Sequence, residues 1–247
     1  MTIPSEPPSR VVLGQVKALT FDVFGTVVDW RGSLIRELES LAGEKGLEID
    51  AGAFADGWRG AYAPSMQRVR SGELPWTKLD VLHRTAMEEL LKRFGIRGLS
   101  EAEKDALNRA WHRLEPWPDS IPGLTRLRRR FTLATLSNGN VALLVNMARH
   151  VGLPWDCILS AEIARHYKPD REVYQMACEL LDLPPAQVMM VAAHNHDLLA
   201  ARALGMATAW VARPREHGPV EPPPPGPAAD YDVIASDIGE LADGLGV

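Results

Sequence analysis

The feature that most constrains this chain is the alternation of short apolar runs with amphipathic stretches through its second half. GLTRLRRR reads as a short helix, FTLATLSNG as a strand running into a loop, and VALLVNMARHVGL as a helix. CILSAEIARHYKPD carries a strand and a loop, REVYQMACELLDL a helix, and AQVMMVAAHNHD a strand that ends in a polar loop. LLAARALG, MATAWVAR and YDVIASDIGELADGL continue as helix, strand, and a last strand with its helix. Strands separated by helices predict a parallel sheet covered on both faces, a doubly wound α/β unit. A further buried strand stands near the N-terminus, where the apolar run Val16 to Phe21 meets a Gly-Thr turn. In such sheets ligands sit beyond the carboxyl ends of the strands. The loops after Phe21, Leu136, Ile158 and Val191 are therefore expected to converge.

Between the first strand and this alternation the texture is helical. SLIRELESLAGEKG, LDVLHRTAMEELLKRFG and SEAEKDALNRAWHRL carry apolar residues three and four apart. Ser100 followed by Glu103 is a capping-box pattern, and Gly95 closes the helix before it. EPWPDSIPG, with three prolines and a glycine, reads as a hinge between two units. The expected organisation is a flexible tail over 1–14, a Rossmann-like α/β core over 15–29 and 119–247, and a helical insert over 30–118. The proline-rich EHGPVEPPPPGPAAD, including segment 219–227, reads as an extended surface connector with no evident functional need.

A length of 247 residues suits two such units, and 46% hydrophobic with 24% charged residues suits a globular chain. The 27 basic and 32 acidic residues leave a net charge of −5, with no positive excess to meet a nucleic-acid backbone. Cys157 and Cys178 lie outside any C-x-x-C or Cys/His cluster, which argues against a disulfide framework and a structural zinc site. MTIPSEPPSR lacks the layout of a signal peptide, and no apolar run approaches the ~18 residues of a membrane helix. The expectation is a cytoplasmic protein with no membrane or nucleic-acid partner.

The four strand-end loops hold Asp22 with Thr26, Ser137 with Asn138, Lys168, and the run His194, Asn195, His196, Asp197. A carboxylate at a strand tip, a lysine, a hydroxyl, an amide and a second carboxylate are what nucleophilic catalysis by an aspartate needs. FDVFGTVVD, LSNG, KPD and a strand-end loop finishing in Asp, in this order, resemble the four signature motifs of the haloacid dehalogenase (HAD) superfamily. The resemblance covers the α/β part of the chain, and the helical insert falls where that superfamily places its cap.

Most members of the superfamily are magnesium-dependent phosphatases, with an Asp two residues after the nucleophile and a G-D-x-x-x-D ending. Here those positions hold Phe24 and Ala193. With two carboxylates missing, a hard dication loses ligands it depends on. The branch that this chain resembles throughout is the type II L-2-haloacid dehalogenases, which use neither metal nor cofactor and whose members are often homodimers. The resemblance implies the following roles. Asp22 is the nucleophile that expels halide and forms an ester, and Lys168 keeps it ionised. Thr26 bonds the nucleophile, while Ser137 and the N–H groups of Val23 and Phe24 bind the substrate carboxylate. Asn138 orients substrate or polarises the halide, Asp197 positions the hydrolytic water, and Tyr174 supports the network. From the cap, Arg59 in ADGWRGAY receives the halide, with Arg68 and Arg70 as substitutes.

The last motif departs from the family, which usually has Ser, Asn and Trp where this chain has Ala192, His194 and His196. His194 and His196 are expected to line the pocket, since no third ligand is visible to make them a metal site. Their bulk predicts a small halide or a small acid such as haloacetate. Two other readings stand beside the dehalogenase: a magnesium-dependent phosphatase and a catalytically silent binding protein.

Overall fold

In the computed structural model, residues 13–218 and 226–247 are described. Most of the expected tail and most of segment 219–227 lie outside the described residues. The chain enters through β1 (Ala18–Phe21), turns, and forms a short β2 (Val28–Asp29). Five helices follow: α1 (Trp30–Lys45), α2 (Ala51–Gly60), α3 (Tyr62–Arg70), α4 (Leu79–Arg93) and α5 (Glu101–Asn108). β3 (Glu115–Pro116) returns antiparallel to β2. The remainder alternates: α6 (Ser120–Leu127), β4 (Thr132–Ser137), α7 (Val141–Val151), β5 (Cys157–Ser160), α8 (Ala161–Ala164), α9 (Arg171–Leu180), β6 (Val188–Ala192), α10 (Asn195–Leu204), β7 (Ala207–Val211), β8 (Val233–Ala235) and α11 (Ile238–Gly244).

The main sheet has six strands in the order β5-β4-β1-β6-β7-β8, and every pair is parallel. β1 and β6 are buried at every position, which is why their sequences are continuous apolar runs rather than alternating ones. The chain winds outward from β1 in both directions, through β4 and β5 on one side and β6, β7 and β8 on the other. That reversal places the crevice at the carboxyl end of β1, beside Asp22.

One apolar cluster joins one face of the sheet to the inserted helices through Phe24, Trp30, Trp58 and Trp111. A second fills the other face, where Val173 and Tyr174 of α9 and Leu198 of α10 pack beneath β4 and β6. Among the described residues no helix is long and apolar enough to cross a membrane.

EPWPDSIPG, expected as a hinge between the two units, is tied to the turn after β1. Trp117 donates its N–H to the Val27 carbonyl at 3.0 Å and its indole N–H to the Gly25 carbonyl at 2.9 Å. The Ser120 hydroxyl bonds the Val27 carbonyl at 2.7 Å. Ser120 to Gly123, expected in the hinge, form the first turn of α6. Proline is tolerated there because the first-turn N–H groups have no intrahelical acceptor. Gly123 is required by packing, since a Cβ would lie 2.6 Å from the Ile238 side chain of α11. The capping box at Ser100 and Glu103 is present with both of its hydrogen bonds.

Candidate active site

Asp22 is the first residue beyond β1, and its backbone N–H is held by the Val191 carbonyl of β6 at 3.0 Å. Its carboxylate is buried and its two oxygens have different partners. Oδ1 accepts from Lys168 Nζ at 2.9 Å, and Oδ2 accepts from the Thr26 hydroxyl at 2.8 Å and from His194 Nδ1 at 3.0 Å. Burial alone would raise the Asp22 pKa, but the charge of Lys168 and the hydrogen bond from His194 outweigh it and hold the carboxyl far below its usual range.

Lys168 is 6% exposed and also bonds Asp197, whose other oxygen accepts from the Tyr174 hydroxyl. Desolvation opposes the ammonium form of Lys168, yet the charges of Asp197 and Asp22 raise its pKa above the ordinary lysine value. The lysine therefore stays charged between two carboxylates. The Lys168 N–H is itself fixed by Asn138 Oδ1 at 2.8 Å, so the loop after β4 orients the loop before α9.

His194 precedes α10 and bridges two carboxylates. Its Nδ1 faces Asp22, and its Nε2 lies 3.0 and 3.1 Å from the two oxygens of Glu216. Burial disfavours the imidazolium, but the hydrogen bonds to Asp22 and Glu216 outweigh it and push the His194 pKa up to about 10. Glu216 is 4% exposed and also accepts from the Trp30 indole at 3.1 Å. Gly25 makes room for it: its φ is +86°, and a Cβ there would lie 2.1 Å from Glu216 Oε1.

These groups face a cavity of about 890 Å³ between the sheet edge and the inserted helices. Asp22, Asn138, Lys168, His194, His196 and Asp197 line it from the sheet side, and Arg59, Tyr62, Met66 and Arg70 line it from α2 and α3. Arg59 is stacked over the Tyr62 ring at 4.2 Å, and its Nη1 is buried with no hydrogen-bond partner among the described residues. Phe24 lies 2% exposed on the cavity wall, edge-on to Trp111 and Tyr62 with ring centroids 5.7 and 6.4 Å away.

Residues 16–205 match the family described as haloacid dehalogenase-like hydrolase. The chain belongs to the haloacid dehalogenase-like hydrolases. It is 30% identical over 209 residues to (S)-2-haloacid dehalogenase 1 of Pseudomonas sp. (strain CBS-3), covering 80% of this chain and 85% of the relative. Among solved structures it is similar to an L-2-haloacid dehalogenase at 50% identity and a TM-score of 0.88, covering 93% of this chain and 99% of the other. It is also similar to a defluorinating L-2-haloacid dehalogenase at 45% identity and a TM-score of 0.91, covering 96% and 99%.

In this haloacid dehalogenase-like hydrolase the strand-end residues do not all share one position. Asp22, Thr26, Lys168, Tyr174, His194 and Asp197 form one hydrogen-bonded network. Val23 is buried beside it, and the N–H groups of Val23 and Phe24 make no hydrogen bond among the described residues. Ser137 is fully buried, accepts the Gly139 N–H at 3.2 Å, and is not among the residues lining the cavity. Asn195 turns away and accepts from Tyr231 at 2.9 Å. Ala192 is buried in β6, and His196 lines the cavity with its pKa lowered by burial. Of the alternative arginines, Arg68 pairs with exposed Glu73, and Arg70 pairs with Asp170 at the cavity wall.

Glu216 is the residue the sequence reading missed. It opens the stretch expected to be a surface connector, yet Glu216 is buried beside the nucleophile's partner. The available signal was topological: β7 is also a parallel strand, so the loop after Val211 leaves the sheet at the same edge as the other four.

Proposed function

We propose that this hydrolase cleaves the carbon–halogen bond of short 2-haloalkanoates, haloacetate or an L-2-haloacid, and releases the 2-hydroxy acid through an ester on Asp22. One observation carries the reading: Asp22 is held ionised by Lys168, while the position two residues on is Phe24, packed against Trp111 and Tyr62. Phosphoryl transfer from an alcohol's oxygen to Asp22 asks for a proton donor to the departing alkoxide, and phenylalanine has none to give. A halide leaves unprotonated and needs no such donor.

In the proposed reaction Asp22 attacks Cα in line, and an L-substrate gives inverted product. Arg59, with an unpartnered buried nitrogen, meets the charge that develops on the departing halide. The free N–H groups of Val23 and Phe24 hold the substrate carboxylate together with the loop of Ser137 and Asn138. Asp197 takes a proton from the water that opens the ester, and Tyr174 and Lys168 fix its orientation. The inserted helices over 30–118 serve as the cap over the core of 15–29 and 119–247. No cofactor or metal enters any step. Among the described residues no group of three or more His, Cys, Asp or Glu is arranged to hold an ion. A cytoplasmic homodimer acting on a small molecule fits this chemistry.

His194 and His196, where the family has Asn and Trp, narrow the pocket towards small halides, fluoride included. The likeness to a dehalogenase named as defluorinating supports this extension.

The test is halide release from haloacetates and 2-halopropionates, with and without chelator, beside Asp22→Asn. Release that persists in chelator and vanishes in Asp22→Asn is expected. Magnesium-restored hydrolysis of p-nitrophenyl phosphate, with no halide release, would overturn the reading. Equal turnover of long and short 2-haloacids would remove the small-substrate part alone.

A further inference from the structure

The chain Asp22, His194, Glu216 has a geometry that the displacement step does not use. Both nitrogens of His194 face carboxylates, Nδ1 at 3.0 Å from Asp22 Oδ2 and Nε2 at 3.0 and 3.1 Å from Glu216. A neutral ring would turn a lone pair towards one of these anions. The form that satisfies both is the imidazolium, donating at each nitrogen. Glu216 is fixed in turn by the Trp30 indole, and its approach depends on glycine at position 25.

The two oxygens of Asp22 are correspondingly unequal. Among the described residues Oδ1 has one donor, Lys168, and keeps a lone pair for attack, whereas Oδ2 has two, Thr26 and His194. Oδ2 is thus the oxygen held as the carbonyl of the ester. Its charge changes in opposite directions in the two half-reactions: it falls when carboxylate becomes ester, and it rises when water adds to the ester carbon. A fixed cation at Oδ2 favours only the second, because binding accelerates a step only when it is stronger in the transition state.

We propose that Glu216 is a positioning residue for ester hydrolysis, keeping His194 charged and aimed so that His194 and Thr26 form a two-donor hole for the oxyanion on Asp22 Oδ2. The proposal rests on the aspartyl-ester reading and specifies which half-reaction the pair serves. In displacement, an Oδ1 lone pair forms the bond to Cα and the carbon–halogen pair leaves with halide. In hydrolysis, water adds to Cγ, one water proton passes to Asp197, and the carbonyl π pair moves onto Oδ2. Collapse re-forms the carbonyl and breaks Cγ–Oδ1. The departing alkoxide takes the proton from Asp197, and the second water proton is released as Asp22 ionises again.

The charged and titratable groups around His194 are Asp22 after β1, Glu216 and His217 after β7, His196 and Asp197 of α10, Lys168 before α9, and Arg59 of α2. Of these, Glu216 is the one that bonds His194 without touching Asp22, so it can be changed apart from the nucleophile.

The experiment is single turnover of 2-chloropropionate by wild type, Glu216→Gln, His194→Ala and the double variant, reading halide release and the intact mass of the protein. In Glu216→Gln the first-turnover halide is released and the ester accumulates, because hydrolysis slows about 10-fold or more relative to displacement. The pH at which its hydrolysis fails lies below that of wild type. His194→Ala accumulates ester likewise, and adding Glu216→Gln to it slows hydrolysis by less than about 2-fold, as coupling through His194 requires. If Glu216→Gln does not fold, Glu216→Asp keeps the charge but withdraws it, and the same ester accumulation is expected. Unchanged hydrolysis, equal slowing of both steps, or full additivity with His194→Ala would overturn the proposal. A wild type that forms no adduct and releases no halide would instead contradict the aspartyl-ester reading.

Discussion

Lys168 carries the electrostatics of the site, since it neutralises Asp22 and Asp197 together from a position that water barely reaches. Replacing it by methionine takes the cation from Asp197 and leaves His194 alone to balance Asp22. Lys168→Met is expected to reduce turnover below about a thousandth of wild type and, as the loss of one partner of a buried pair, to cost about 3–5 kcal/mol of stability. Steady-state halide release and urea unfolding measure the two effects separately. His194 sets the alkaline side. Its pKa is raised from 6.5 to about 10, so its contribution to stability is complete below 6.5 and is lost as pH rises through about 10. Ester hydrolysis is expected to fall along the same limb, and wild-type kcat followed from neutral pH to strong alkali checks it. A kcat that falls near the ordinary histidine value would contradict the charge assigned to His194.

The site is held by ties between elements as much as by its own residues. Asp80 at the start of α4 accepts from Asn140, the residue immediately before α7, at 2.9 Å and from His112 at 3.1 Å, which joins the inserted helices to the loop carrying Asn138. Asp80→Ala removes both bonds. A loss of about 2 kcal/mol is expected, with KM raised more than kcat is lowered, read by thermal melting and initial rates. Arg213 forms a two-bond pair with Asp119 and donates to the Thr26 carbonyl at 2.8 Å, anchoring the segment that leads to Glu216. At this scale the sequence was legible wherever one period ruled locally: the buried runs of β1 and β6, the Ser100 cap, and the four loops that meet at Asp22. It was illegible where the decisive contact is long-range. Nothing in ARPREHG marks Glu216, because its role depends on Trp30 and Gly25 nearly two hundred residues earlier. Ser137 combines a local and a proposed site role, since its hydroxyl oxygen accepts the Gly139 N–H within the turn and its O–H proton is not used by that bond.

Across the whole molecule, the net charge of −5 makes local concentration of positive charge the condition for binding a small carboxylate, and Arg59, Lys168 and His194 supply it around one cavity. The same architecture predicts acid sensitivity. His83 is stacked on Trp111 at 4.1 Å with neither ring nitrogen paired among the described residues, and burial lowers its pKa from 6.5 to about 3. Below 6.5 the unfolded chain takes up a proton that the folded chain refuses, so stability falls as pH drops from 6.5 towards 3. Asp22 adds to the loss once the pH passes below its unfolded value of 3.8. By pH 5 the His83 contribution is on the order of 2 kcal/mol. His83→Leu is expected to flatten this decline, and melting curves from pH 7 to pH 4 test it. Covalent modification of Asp22 at every turnover is open to a direct isotope test, one turnover of excess enzyme on 2-chloropropionate in heavy-oxygen water. The product hydroxyl is expected to carry ordinary oxygen from Asp22, with the heavy isotope in the Asp22 carboxylate; heavy oxygen in the first product, with none in Asp22, would rule out the ester.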